Sequence, residues 1–150
     1  MKIVIQRVLS SKVVVNEEIV GAIEQGLLIL VGIVEDDTAE DIEWLVKKIT
    51  QLRIFDDNSG IMNLSIQDKK GNILVISQFT LHAMTKKGNR PSYIKAAKPE
   101  IAIPIYEEFI QKLEQVMKQK VEKGIFGADM KVHLINDGPV TIIMDSKDRL

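Results

Sequence analysis

From Met1 to Val34 the chain is a series of short apolar stretches, Ile3-Val4-Ile5, Val13-Val14-Val15, Ile19-Val20 and Ala22-Ile23, divided by Ser10-Ser11 and Asn16-Glu17-Glu18. Spacers this short predict strands joined as antiparallel hairpins. Leu27 to Val31, opened by Gly26, is apolar without interruption, the pattern of a strand inside a sheet. Asp36 to Gln51 then changes period: Ile42, Leu45, Val46 and Ile49 recur at helical spacing, with Thr38 and Asp41 placed as a capping box. Its acidic first half and basic end, Lys47-Lys48, match the helix dipole. Arg53-Ile54-Phe55 predicts a short strand and Asp56 to Gly60 a turn. Ile73 to Leu81, after the turn signal Lys70-Gly71-Asn72, predicts a strand buried on both faces. A second amphipathic helix runs from Pro99 to about Lys120, carrying Ile105, Phe109, Leu113, Val116 and Met117 on one face. Pro104 inside it calls for a bend or a later start. Two last strands, Met130 to Ile135 and Val140 to Met144, flank Asn136-Asp137-Gly138-Pro139, whose residues favour a tight turn.

The anomaly lies at the end of the central strand. Ser77, Gln78 and Thr80 stand where a core strand would stay apolar, and buried hydroxyls and amides must find partners. Capping of neighbouring loops would satisfy them; so would a ligand. Directly after them, His82 to Lys98 carries Lys86, Lys87, Arg90, Lys95 and Lys98 with no acidic residue, in a chain of net charge -1. A charge run is usually a solvated surface, but here phosphates held by the loop would bring a nucleotide or nucleic acid to the polar strand end. Tyr93 could stack on a base.

Composition narrows the field. The chain has 150 residues, 45% of them hydrophobic and 27% charged, which suits one globular domain over residues 1-150 with a sizeable core. The net charge gives no global field for nucleic acid. With no cysteine there are no disulfides, thiolate nucleophiles or Cys-held metals. The longest uncharged run near the start, Gln25 to Val34, is too short to span a bilayer, so a soluble, cytoplasmic protein is expected. His82 and His133 lack metal-ligand spacing, His133 reads as an outward strand residue, and neither a metal nor a cofactor is expected. Arg7, between apolar neighbours, reads from its own stretch as a solvent-facing charge.

Ser77-Gln78-Phe79-Thr80-Leu81 and Asn136-Asp137-Gly138-Pro139-Val140-Thr141 together resemble the two signature motifs of the D-aminoacyl-tRNA deacylases. Thr85 to Ser92 and Gly124 to Met130 also look familial, and order and length agree over the whole chain. The resemblance implies an α/β fold with a barrel-like core of mostly antiparallel strands, two main helices outside, and a homodimer with each active site at the interface. It implies a cis Gly138-Pro139 peptide that enters the partner's pocket and selects the D-configured amino group through backbone carbonyls. Arg7 then becomes a residue that holds this element from behind, with Asn136 and Thr141 in the same motif, and Phe126, Ala128 and Met130 become pocket walls. The implied partner is the 3′ end of aminoacyl-tRNA, with Lys86, Lys87 and Arg90 on its phosphates. The implied substrates are D-aminoacyl-tRNA and glycyl-tRNA mischarged on tRNA(Ala).

The residues themselves constrain the chemistry. Neither motif holds His, Cys or Lys, so neither a Ser-His-Asp triad nor a metal hydroxide is encoded. Positioning and oxyanion stabilisation by backbone N–H groups near Gln78, Phe79 and Thr80 remain. The Thr80 hydroxyl could attack or merely orient; no base is visible to activate it, which favours attack by water, assisted in the family by the ribose 2′-hydroxyl. Other readings are a sister deacylase of relaxed stereochemistry, a non-catalytic tRNA-binding module, and a small-molecule esterase, whose Gly-x-Ser-x-Gly elbow is missing.

Overall fold

The computed structural model describes residues 1–150. Its strands are β1 (Lys2–Val15), β2 (Glu18–Ile23), β3 (Gly26–Gly32), β4 (Phe55–Asp56), β5 (Met62–Leu64), β6 (Asn72–Ser77), β7 (Glu122–Lys123) and β8 (Lys131–Asp145). The helices are α1 (Ala39–Gln51), α2 (Ile66–Lys69) and α3 (Pro99–Met117). The main sheet runs β2-β1-β3-β6-β7, with β8 on the other side of β1. Only the β3–β6 and β6–β7 pairs are parallel.

β1 organises this sheet. One edge pairs antiparallel with β3 over Lys2–Val8 and then with β2 over Ser11–Val15; the other pairs with β8. Because β1 is one continuous strand, the predicted break at Ser10-Ser11 is absent. Ser11 is buried and its hydroxyl donates to the His133 carbonyl at 2.8 Å, so it is absorbed without a turn. The sheet curls until β2 lies against β7: a Cβ on Gly21 would stand 2.8 Å from the Lys123 carbonyl oxygen. The result is a nearly closed barrel with helices outside, as expected.

The unbroken apolar runs now have a physical reason. Leu27, Ile29 and Val31 of β3, with Ile73 and Val75 of β6, face a core shared with Ile42, Leu45 and Ile49 of α1 and Phe109 and Leu113 of α3. Leu28, Leu74 and Ile76 point the other way, into a smaller core with Val8, Val13 and Ile23 inside the barrel. Each of these two strands buries both faces, so alternation disappears.

Helix α1 starts three residues later than predicted but carries the expected cap: the Thr38 N–H donates to the Asp41 carboxylate at 2.8 Å. Helix α3 begins at Pro99 and continues through Pro104. α2 has four residues, too few to show a period in the sequence. The C-terminal residues strap over α1. Lys147 donates to Asp41 at 2.9 Å, Arg149 lies 4.9 Å from the Trp44 ring, and the Met1 amino group is held by Asp37 and Ser146.

Two expectations fail at the motifs. The central strand ends at Ser77, and Phe79–His82 forms a 3-10 turn instead of continuing to Leu81. The segment Asn136 to Val140 is not a hairpin turn: β8 pairs with β1 on both sides of it. Gln6 pairs with Thr141 and Val8 with Asn136, so between these pairs one residue of β1, Arg7, stands against four of β8, Asp137 to Val140, and the surplus bulges out.

Candidate active site

The catalytic-motif expectation places Ser77, Gln78, Phe79 and Thr80 together, and the structure sets them on the wall of an open cavity of about 280 Å³. β6 delivers them, because it ends where the barrel interior opens. The chain then turns back: the Gln78 N–H donates to the Val31 carbonyl at 2.7 Å, and the 3-10 turn rests on the last residue of β3. That contact depends on Gly32, where a Cβ would stand 3.0 Å from the Gln78 carbonyl oxygen, Leu81 Cβ and His82 Cδ2.

Within the turn, Gln78 Nε2 donates to Thr80 Oγ1 at 2.8 Å. The hydroxyl is thereby an acceptor, and its proton remains for another partner. Phe79 and Thr80 open the 3-10 turn, and the first N–H groups of such a turn have no acceptor inside it. Two main-chain donors and one hydroxyl thus sit together with hydrogen-bonding capacity unspent. No His, Lys or Glu lines the cavity; its one charged residue is Asp129, paired with Lys131 at 3.0 Å.

Phe126, Ala128 and Met130 line the same cavity. Phe126 is backed by Tyr106, ring centroids 5.7 Å apart; burial pushes the Tyr106 hydroxyl well above its ordinary pKa, and it donates to the Val75 carbonyl at 3.3 Å. Val31, Ile33, Ala97 and Ala102 complete the apolar wall. The sequence offered no sign of them, since Val31, Ile33 and Ala102 read as ordinary core and Ala97 lies within the basic loop.

Arg7 is not a surface charge. It shares with Ile3 and Ile5 the face of β1 that the helices cover, and it is 6% exposed. Its Nε donates to the Asp137 carbonyl at 2.9 Å and its Nη1 to the Ile54 carbonyl at 2.7 Å; the Asp56 and Asp137 carboxylates lie 3.4 Å away. Asn136 closes the bulge by accepting from the Val140 N–H at 2.8 Å and donating to Thr141 Oγ1 at 3.1 Å. The Gly138-Pro139 peptide is cis, with Gly138 at φ 140, a conformation suited to glycine. Both residues are exposed, and neither lines the cavity. Lys86, Lys87 and Arg90 are exposed on a loop closed by paired hydrogen bonds between Met84 and Ser92, 2.8 and 3.0 Å. His82 is turned from the cavity and its enclosed Nε2 has no partner; His133 is exposed.

The model of the D-Tyr-tRNA(Tyr) deacylase family matches residues 4–145. The chain belongs to that family. It is 62% identical over 149 residues, 99% of each chain, to the D-aminoacyl-tRNA deacylase of Flavobacterium psychrophilum, and 61% identical over the same span to that of Bacteroides fragilis. Among solved structures, one titled c-Myc DNA Unwinding Element Binding Protein superposes with a TM-score of 0.92 at 41% identity, covering 97% of this chain and 98% of that one. A second, titled as a probable eukaryotic D-amino acid tRNA deacylase, shares the fold with a TM-score of 0.83 at 15% identity, covering 95% and 97%. As a member of the D-Tyr-tRNA(Tyr) deacylase family the chain is a hydrolase.

Proposed function

We propose that the chain hydrolyses the ester between a D-amino acid and the terminal ribose of its tRNA, with water as the attacking group. One observation carries this reading: a cavity that holds unpartnered main-chain donors and an oriented Gln78–Thr80 pair, and no base to activate a nucleophile. Water oxygen adds to the ester carbonyl, and the N–H groups of Phe79 and Thr80 receive the developing oxyanion. The carbon–oxygen bond to the ribose then breaks, the ribose oxygen takes the proton, and D-amino acid and tRNA leave. Thr80 and Gln78 orient the attack, and the ribose 2′-hydroxyl assists. The ester is already activated, so geometry and charge stabilisation suffice.

Stereochemistry comes from a second copy. Gly138 and Pro139 stand exposed on β8, the strand whose outer edge has no partner, and Ile135 and Ile143 beside them are 56% and 67% exposed. A homodimer built on this surface puts the Gly138 and Pro139 carbonyls into the opposite cavity, where they accept from the D-oriented amino group and leave no room for an L side chain. Glycine has no side chain to clash, so glycyl-tRNA mischarged on tRNA(Ala) is also a substrate. Lys86, Lys87 and Arg90 meet tRNA phosphates, and translation quality control places the chain in the cytoplasm. No helix is long and apolar enough to cross a membrane.

Deacylation of D-Tyr-tRNA and L-Tyr-tRNA by the purified chain, beside Gln78→Ala and Thr80→Val, tests this. Loss of the D-ester alone, slowed in both variants, is expected. Equal loss of both esters would indicate the relaxed sister activity; tRNA binding without cleavage would leave a binding module. A trapped acyl-Thr80 would overturn the water route.

A further inference from the structure

The cavity ends at Phe79, but the aromatic surface continues. The Phe79 ring meets the Tyr93 ring edge to face, with centroids 5.1 Å apart and planes at 80°. Packing alone would bury such a pair, yet Phe79 is 57% and Tyr93 39% exposed. Phe79 lines the cavity and Tyr93 does not, so Tyr93 stands one side chain beyond the rim. Its segment is firmly tied. The Met84–Ser92 bridge lies just before it, the Ala96 N–H donates to the Tyr93 carbonyl at 3.0 Å, and the Ala97 N–H donates to the Ile33 carbonyl at 2.9 Å. Lys86, Lys87, Arg90 and Lys95 surround this segment, all exposed and outside every ion pair of the protein.

We infer that Tyr93, braced edge to face by Phe79, offers a stacking ledge for the nucleobase that precedes the terminal adenosine of the RNA 3′ end, with the flanking cations on its phosphates. Exposed aromatic faces set among cations are the general device for holding single-stranded nucleic acid, and they tolerate any base because each has a π-face. The ledge rests on the reading that the aminoacylated adenosine occupies the cavity. It explains why a loop so rich in charge carries an aromatic residue at its foot.

Two substrates separate the ledge from that reading. Cleavage of D-aminoacyl-adenosine by the wild type tests the cavity alone. Tyr93→Ala is expected to raise KM for D-aminoacyl-tRNA about tenfold relative to KM for D-aminoacyl-adenosine, the scale of one lost base stack, and Tyr93→Trp to restore it. An equal rise for both substrates would make Tyr93 only a prop for Phe79, and no rise for either would remove the ledge. A readout without turnover decides the matter even where nothing is cleaved. tRNA with 2-aminopurine before its terminal adenosine should lose fluorescence on binding the wild type and less on binding Tyr93→Ala. Equal quenching by both overturns the ledge.

Discussion

Around Asp41 every polar group is used. The carboxylate accepts from the Thr38 N–H, the Thr38 hydroxyl at 3.1 Å and the Lys147 ammonium, while Asp37 takes the Val34 N–H and the Met1 amino group. Burial pushes the Asp41 carboxyl up, but hydrogen bonds from Ser146, Lys147 and Thr38 outweigh it and hold it well below the usual carboxylate range. The same contact raises the Lys147 ammonium. Around Thr80 the polar groups are as dense, but the N–H groups of Phe79 and Thr80 and the Thr80 proton are left over. Saturated clusters hold the fold, and unsaturated ones await a substrate.

Arg7 belongs to the saturated kind although it lies behind the second motif, and removing it should have the largest effect on stability. Arg7→Met leaves the Ile54 and Asp137 carbonyls without their donor, and urea melts should show a loss of about 3 kcal/mol. Retained stability would mean that the bulge is held by β8 pairing alone. Gly32→Ala should do the reverse, sparing the fold and damaging the turn. With three atoms at 3.0 Å from the new Cβ, the turn must shift by tenths of an ångström, and kcat is expected to fall by up to about a hundredfold while KM and Tm hold. Unchanged kcat would show that the turn tolerates displacement.

Asp41→Asn tests the saturated cluster by pH. Its folded pKa is depressed, so its contribution is present above the unfolded value of about 3.9 and is lost as pH falls through the folded value. The variant should cost about 2 kcal/mol near neutrality and should lack part of the wild type's acid destabilisation; parallel pH–stability curves would refute this. The smallest effects belong to the basic loop. Lys86→Ala, Lys87→Ala and Arg90→Ala should each lower the salt dependence of tRNA binding by about one unit of slope without changing kcat.

The sequence carried the two main helices, the α/β class and the polar cavity residues Ser77, Gln78 and Thr80 because periodicity and misplaced polarity are local signals. It misjudged the two motifs in opposite directions, reading Phe79–Leu81 as strand where the chain turns and Asn136–Pro139 as a hairpin turn where the strand runs on. What decides both is a partner distant in the chain: Gly32 beneath the 3-10 turn, and β1 pairing on either side of the bulge. Arg7 is the plainest case. Nothing in Gln6-Arg7-Val8 tells a surface arginine from one whose acceptors lie near residues 54 and 137. Its role was legible only through resemblance. Val31, Ile33 and Ala102 were invisible as cavity walls, since an apolar residue facing a hollow is the same residue as one facing a core.

A loop at the tip of a hairpin swings on its stem, and its far end wanders by ångströms. The Asp137–Val140 bulge is clamped at two ends, by Lys2–Gln6 against Thr141–Asp145 and by Val8–Val14 against Lys131–Asn136, and from below by Arg7. It has no hinge. The chiral filter proposed for this bulge calls for a fixed gauge, because a substrate and its mirror image differ only in which way a few atoms point. A strand interrupted in its middle offers that tolerance, and a turn at its end would not.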